Sequence, residues 1–304
     1  MILRKWREKI RRYAALNTGD FETIFKSFRV PSLPDIVVKL VSLLRDPEVS
    51  ASEVASLLSY DPGLASQILQ MVNSAHIGLS KPVSNLSQAV NILGLKQIET
   101  LIVSYGVTKI VKDPQKPGFD LPAFWTDSLF RALLAHHLGK HLGREDEAFL
   151  GSLLQDIALP VLLTEWYEAY EKAYLTAQKN KTRLSEAERQ TLSWHHAQAG
   201  AWLAKKWHLS EIIICAIGLH IAGPEELLGL PLKDEIFLIV AFSGALPSVL
   251  EKEPSWHLWE AFLEAGLFSC QAAKEAFSLA CQHLLETAKN FGLKVKEPLA
   301  PPNL

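Results

Sequence analysis

The sequence predicts an all-α protein. Apolar residues recur at helical spacing along almost all of the 304 residues, and the alternation typical of strands is hard to find. Capping residues and prolines divide the chain into successive helices. The composition, 48% hydrophobic and 21% charged, is typical of a globular protein and not of a disordered one. Together these observations predict a folded bundle of helices.

Residues 1–16 are predicted to form a basic amphipathic helix, with Ile2, Trp6 and Ile10 on one side. Such a helix either packs on the body of the protein through its apolar stripe or makes a weak contact with a membrane surface. We expect residues 1–20 to be a separate N-terminal element, and both interpretations stay open.

Short helices follow in the first part of the chain. Pro34 stands at a first helical turn, and Ser50 and Glu53 have the spacing of a capping box. Asp61 precedes a proline and is expected to cap the next helix. The predicted helices of this part cover residues 34–45, 50–60, 62–73, 85–94 and 95–111.

A Pro- and Lys-rich segment, residues 112–118, is predicted to separate two lobes. Ser185 and Glu188 are expected to form a capping box in the second lobe. The tail over residues 297–302 is predicted to be extended and mobile. The helices predicted after the boundary cover residues 121–142, 146–158, 159–179, 185–206, 209–221, 232–246, 255–265 and 269–291.

Charge and cysteine content exclude several classes of protein. The net charge of -2 gives no overall attraction to nucleic acid. The chain has an odd number of cysteines and no CxxC motif, so no disulfide framework is predicted. The three cysteines are Cys215, Cys270 and Cys281. No run approaches the roughly 18 apolar residues of a membrane span, and the first residues lack a signal-peptide pattern. We therefore expect a cytoplasmic protein.

Residues 50–69 have the rhythm of a helix-turn-helix motif, in which Pro62 would begin the recognition helix. The segment 62–73 contains no Lys or Arg, although phosphate contacts supply most of the affinity for DNA. We therefore expect a helical corner and no nucleic-acid partner.

Asp156 is the unexpected residue of the second lobe, because it is predicted on an otherwise apolar helix. A buried carboxylate is costly unless it is paired, hydrogen-bonded or bound to a metal. Asp156 is therefore a candidate site residue, and its neighbours decide what kind of site it belongs to.

Landmarks in both lobes resemble the HDOD family. The resemblance covers about 26–246, with lobes at 26–111 and 119–246, and leaves 247–304 as C-terminal helices and a tail. It implies a degenerate relative of the HD metal phosphohydrolases, associated with bacterial signalling. The landmarks are Leu33-Pro34, Leu43-Leu44-x-Asp46-Pro47, Asp61-Pro62-x-Leu64, Val72-Asn73-Ser74-Ala75, Ala89-x-x-x-Leu93-Gly94, Phe124-Trp125, Leu153-Leu154-x-Asp156, His196-Ala197-x-x-Gly200 and Ala216-Ile217-x-x-His220.

The resemblance also shows which HD metal ligands have been replaced. Asp127 stands where the first histidine is expected, and Gln155 replaces the histidine of the His-Asp pair. Asp156 is kept, but residues 240–244 contain no closing carboxylate. An amide oxygen is a weak replacement for imidazole. We therefore expect no catalytic residue, no metal and no cofactor.

His196 and His220 keep places that line the corresponding cavity in related proteins. With Asp127, Gln155 and Asp156 they form either a hydrogen-bonded core network or a residual metal or anion site. His195 is expected to turn about 100° away from His196 on the same helix.

The function expected from this resemblance is non-catalytic. The protein would be a bacterial signal-transduction or regulatory scaffold that binds a protein partner, with a small ligand in the remnant cavity. The alternative is a metal-dependent phosphohydrolase acting on a nucleotide or cyclic dinucleotide. Its rearranged ligand set would be Asp127, Asp156, His196 and His220.

Overall fold

The computed structural model describes residues 21–24, 30–74, 77, 79–230, 234–248, 250 and 255–300, and all regular structure in them is helical, which confirms the predicted class. The predicted helix over residues 1–16 lies outside the described residues. The helices are α1 Phe21–Ile24, α2 Asp35–Leu43, α3 Ala51–Leu58, α4 Pro62–Val72, α5 Leu86–Leu93, α6 Leu95–Ile110, α7 Leu121–Gly139, α8 Glu145–Leu154, α9 Ala158–Glu165, α10 Tyr167–Asn180, α11 Leu184–Leu192, α12 His196–Lys206, α13 Glu211–Leu219, α14 Pro224–Leu228, α15 Glu235–Gly244, α16 His257–Glu264 and α17 Cys270–Asn290.

The predicted caps of the first helices are confirmed. Ser50 and Glu53 form a capping box, in which the Ser50 Oγ accepts from the Glu53 amide at 3.2 Å. The Asp61 carboxylate accepts from the Leu64 amide at 3.0 Å and so caps α4. These local bonds satisfy amides that a helix start leaves without a partner.

Two compact units make up the chain. The smaller unit contains Pro31–Val111 and Glu286–Leu293, and the larger contains Lys112–Leu285 together with the remaining described residues. In the smaller unit, α2 to α6 pack around fully buried apolar side chains. These include Leu40, Leu58, Leu64, Ile68, Ile98 and Ile102.

The larger unit is organised around α7, which is buried over most of its length and packs along α8. Helix α8 also packs on α13 and α15. Gly151 of α8 permits this approach, because a Cβ there would lie only 3.0 Å from a methyl group of Val240. The unit therefore has a densely packed helical centre, from which the site side chains project.

Three predicted helices of the larger unit are wrong in their extent. The stretch 146–158 ends as a helix at Leu154, and α9 starts at Ala158, so Asp156 lies in the turn between them and not on a helix. The stretch 159–179 breaks at Trp166, between α9 and α10. The apolar pattern continues through both turns, and the pattern alone therefore does not reveal them.

The stretch 185–206 is also two helices, because Ser193 has a φ of 65° and ends α11. His195 then caps α12 and forms a capping box with Gln198. His195 is therefore outside the helix that holds His196. The predicted Ser185–Glu188 box is not formed, since Arg183 is the residue preceding α11 and Glu188 is turned into the core.

Among the described residues, the stretch Glu145–Glu165 is long and apolar enough to cross a membrane by length and composition. This corrects the expectation that no run approaches such a length. Within the protein, 83% of its apolar window is buried, and the stretch is divided between α8 and α9. It has the properties of core helices.

Candidate functional site around Asp156

The Asp156 side chain lies in the turn between α8 and α9 and is 19% exposed. Its Oδ2 accepts a hydrogen bond from Arg131 Nη1 at 2.5 Å and one from Gln155 Nε2 at 3.3 Å. Its Oδ1 lies 3.2 Å from His220 Nε2 and 3.3 Å from His196 Nε2. Both carboxylate oxygens are therefore engaged, as a buried carboxylate requires.

Arg131 is the cation nearest to this carboxylate, and it was not predicted from the sequence. It projects from α7, one helical turn after Asp127, and its side chain is 9% exposed. Its Nη2 donates to the Leu246 carbonyl at 2.8 Å. A signal was present, since Arg131 is the single Arg or Lys within the apolar segment 121–139.

Glu188 is the second residue that sequence reasoning missed. Its side chain is fully buried, and Oε2 accepts from His196 twice, from the backbone amide at 3.0 Å and from ring Nδ1 at 2.7 Å. The other oxygen accepts from the Tyr170 hydroxyl. Since α12 begins at His196, Glu188 fixes both the helix start and the imidazole ring.

His220 stands directly after α13, and its Nδ1 lies 2.7 Å from the Ile217 carbonyl oxygen. A carbonyl oxygen only accepts, so the His220 proton is on Nδ1. Its Nε2 then faces Asp156 and lies 3.3 Å from His196 Nε2. Both imidazoles are thus held from behind through Nδ1, and both present Nε2 to Asp156.

The electrostatics follow from this arrangement. Burial opposes ionisation of Asp156, but the adjacent imidazoles of His220 and His196 and the charge of Arg131 hold its pKa well below the usual range. Burial acts against the His196 cation as well, yet the Glu188 charge and hydrogen bonds to both carboxylates raise the pKa of His196 to about 10. Burial lowers the pKa of His220.

The predicted site residues separate into two groups. Gln155, Asp156, His196 and His220 are in mutual contact. Asp127 instead accepts a hydrogen bond from Ser248 at 2.5 Å and lines the same cavity.

Within residues 240–244, where the closing carboxylate is expected, Ser243 is the residue that contacts Gln155. The Ser243 hydroxyl lies 3.4 Å from the Gln155 amide oxygen and 2.8 Å from the Ser152 hydroxyl. These are neutral hydrogen-bonding groups, so this side of the site adds no negative charge.

A cavity of about 690 Å³ opens beside Asp156 within the larger unit. Its polar wall includes Asp127, Arg131, Asp156, His196 and His220, and its apolar wall includes Phe124, Leu159, Tyr174, Leu246 and Leu258. Lys181, Arg183 and Glu186 also line it. A cavity of this size and mixed lining suits a small organic ligand with at least one polar end.

The model of the HDOD domain family matches residues 30–222, well over half of the chain. The chain belongs to the HDOD family. The match includes α2 to α13 and therefore every residue of the Asp156 cluster that comes before Ser243.

The HDOD chain is similar to an uncharacterized protein of Treponema pallidum, at 25% identity over 201 residues. That similarity covers 63% of this chain and 37% of the relative, so the chain spans little more than a third of it.

Two solved structures share the fold. A candidate phosphohydrolase from Shewanella amazonensis superposes with a TM-score of 0.68 at 21% identity, over 86% of this chain and 94% of that one. A candidate signal transduction protein from Marinobacter aquaeolei gives a TM-score of 0.66 at 17% identity, over 94% of this chain and 66% of that one.

The four-ligand metal centre of HD phosphohydrolases does not fit these residues. The Gln155 amide nitrogen faces Asp156, where a ligand would have to present a lone pair. Residues 240–244 contain no carboxylate, and Asp127 accepts a hydrogen bond from Ser248. Asp156, His196 and His220 are left as the donors that converge.

Proposed function

We propose that this HDOD protein is a non-catalytic signal-transduction or regulatory component that senses a small ligand and transmits its binding to a protein partner. The observation that carries the proposal is the cavity beside Asp156, which is large enough for a ligand although Gln155 replaces one HD ligand and residues 240–244 contain no closing carboxylate. A cavity that is kept without its hydrolytic ligand set is suited to binding and not to turnover.

The charge balance of the Asp156 cluster beside the cavity supports this proposal. Asp156 is paired with Arg131, and His196 lies between Asp156 and Glu188. Two carboxylates therefore face two cationic side chains, and the cluster is close to neutral. Such a cluster orients a ligand through hydrogen bonds.

The ligand-sensing part is tested by thermal denaturation of the metal-stripped protein with a panel of nucleotides, cyclic dinucleotides and small carboxylates. At least one compound is expected to raise the Tm of the wild type. Ala177→Trp fills the cavity and should abolish the shift, whereas Leu175→Trp on the same helix changes a 38% exposed side chain outside the lining. A panel without any shift would contradict ligand sensing.

The alternative, a metal-dependent phosphohydrolase, is favoured by one observation, the convergence of donor atoms from Asp156, His196 and His220. It is tested with a phosphodiester substrate and cyclic dinucleotides in the presence of Mn²⁺ or Zn²⁺. We expect no turnover above that of Asp156→Ala. Metal-dependent hydrolysis that disappears in Asp156→Ala would replace our proposal by the alternative.

A further inference from the structure

Three donor atoms beside the cavity form a nearly equilateral triangle. His196 Nε2 lies 3.3 Å from His220 Nε2 and 3.3 Å from Asp156 Oδ1, and His220 Nε2 lies 3.2 Å from the same oxygen. They come from three separate places in the chain, the start of α12, the end of α13 and the turn before α9. The fold, and not a local motif, brings them together.

The size of this triangle is informative. In a tetrahedral site with metal–ligand bonds of about 2.0 Å, neighbouring ligand atoms lie about 3.3 Å apart. The three observed distances agree with one face of such a tetrahedron. An ion placed behind this face would displace the proton that His196 Nε2 shares with Asp156 and would need little movement of the three donor atoms.

We propose that Asp156 Oδ1, His196 Nε2 and His220 Nε2 form a three-donor site for a divalent transition-metal ion of the Zn²⁺ type. This inference deepens the proposed function, because it makes the metal ion part of what the cavity senses. It differs from the HD ligand set, since it uses neither residue 155 nor a residue of the stretch 240–244. It also replaces the expectation of no metal, which rested on Asp127, on Gln155 and on the missing carboxylate within residues 240–244.

The residues behind the imidazoles support this site. His196 Nδ1 is held by the buried Glu188 carboxylate and His220 Nδ1 by the Ile217 carbonyl, both at 2.7 Å. In the neutral ring each Nδ1 carries the proton, and the Nε2 lone pair points towards the shared centre. Metal-bound histidines are held in this way by a carboxylate or a backbone carbonyl on the other ring nitrogen.

The donor set also selects the class of ion. Two imidazoles and one carboxylate oxygen suit Zn²⁺ and neighbouring first-row ions, whereas Mg²⁺ and Ca²⁺ prefer sites made of oxygen ligands. Three protein ligands leave a fourth position for water or for a group of a second ligand. Since all three residues line the cavity, a ligand there could reach that position.

Arg131 explains how such a site can remain reversible. Its Nη1 holds Asp156 Oδ2 at 2.5 Å, so Oδ1 is the oxygen offered to an ion. Its fixed positive charge opposes a second cation at the same carboxylate. The site therefore has well-placed donors but a lower affinity for a metal ion than a fully anionic zinc site. A lower affinity allows the ion to be released, as a sensor requires.

The test is a titration of the tag-free, full-length protein with Co²⁺, followed through the visible absorption of tetrahedral cobalt, and then displacement by Zn²⁺. One equivalent of Co²⁺ should bind to the wild type. His196→Ala and His220→Ala should each lose this signal, and Glu188→Gln should weaken binding roughly 10- to 100-fold. His141→Ala, an exposed histidine outside the cluster, should bind like the wild type.

Far-UV circular dichroism shows whether each variant is folded, and His220→Gln provides a second, less disruptive removal of that ligand. The inference is overturned if the folded wild type binds no Co²⁺, or if the histidine variants bind it as well as the wild type does. If the folded wild type binds no Co²⁺ but metal-stripped protein still gives ligand-induced Tm shifts, the proposed sensing function stands while the metal site falls. Saturable Co²⁺ binding with the expected variant losses supports the site.

Discussion

Glu188 Oε2 accepts two hydrogen bonds from His196, from the backbone amide at 3.0 Å and from ring Nδ1 at 2.7 Å. One buried carboxylate thus orients an imidazole and supplies a partner to an amide at the start of α12. This relationship also explains why Glu188 does not cap α11, as its spacing from Ser185 predicts. The Glu188 carboxylate instead points into the protein, where it binds His196, eight residues later in the chain.

Glu188→Gln should destabilise the protein by roughly 1.5–3 kcal/mol, because it replaces charge-assisted hydrogen bonds with weaker neutral ones inside the core. Chemical denaturation at neutral pH measures the difference. Glu186→Gln is the matched control, two residues away on the same helix and exposed. An equal decrease in the free energy of unfolding of both variants would show that the Glu188 hydrogen bonds do not stabilise the protein more than an exposed glutamate does.

Arg131 and Asp156 should be strongly coupled in a double-mutant cycle. Removing either partner leaves the other charge buried, which typically costs about 3–5 kcal/mol. We expect Arg131→Met and Asp156→Ala each to be strongly destabilising and the double variant to lose less than their sum by at least about 1 kcal/mol. Urea denaturation of the four proteins gives these values, and additive effects would contradict the coupling.

Gly244→Ala should disturb the site through the backbone. A Cβ at Gly244 would lie 2.7 Å from the His220 carbonyl oxygen and 3.3 Å from the His220 ring. The backbone must shift, and overpacking of this kind typically costs about 1–3 kcal/mol. Gly229→Ala is the control, because the nearest atom there is 3.4 Å away.

The Tm should fall in Gly244→Ala and stay close to that of the wild type in Gly229→Ala. Cobalt binding adds a second readout, since a displaced His220 would no longer complete the triangle of donors. A Gly244→Ala protein with unchanged Tm and unchanged binding would contradict the close packing described for α15.

The buried thiol of Cys215 should make stability sensitive to alkaline pH. Burial, followed by the charges of Glu211 and Asp234, raises the pKa of Cys215 from 9.0 to about 12. Between these two pKa values the folded state keeps the thiol proton that the unfolded state loses. Deprotonation therefore favours the unfolded state, and the free energy of unfolding falls as the pH rises from 9 towards 12. At pH 10 the loss is about 1.4 kcal/mol.

Denaturation of wild type and Cys215→Ala at pH 8 and pH 10 measures this effect. Other groups also titrate in this range, so the informative quantity is the difference between the two proteins. The wild type should lose more stability than Cys215→Ala between the two pH values. Parallel losses would show that the thiol is not the group responsible.

Much of the fold could be predicted from sequence, because its causes are local. The Ser50–Glu53 box and the Asp61 cap involve residues three positions apart, and each formed as expected. The helical period of the apolar residues likewise predicted α7 and α17 closely. The turn that holds Asp156 and the break at Ser193 were missed, since an apolar pattern continues through a buried turn as readily as through a helix.

The candidate site shows the same division. Asp156, Gln155, His196 and His220 were found from their motifs, and the structure places them together. Arg131 was missed because its partner is distant in sequence. Glu188 was missed because its spacing from Ser185 suggested a helix cap. Arg131 lies 25 positions from Asp156, and Glu188 had the spacing of a cap.

The HDOD resemblance, and not spacing, implied which residues meet beside Asp156, whereas the sequence by itself determined the helical class and the caps of the early helices. Those properties depend on neighbours within a few positions, where spacing alone fixes geometry. Only the tertiary structure decided that Oδ2 of Asp156 faces Arg131 while Oδ1 faces two imidazole nitrogens. That choice depends on how α7, α12 and α13 pack around one turn, and packing joins residues that no local pattern relates.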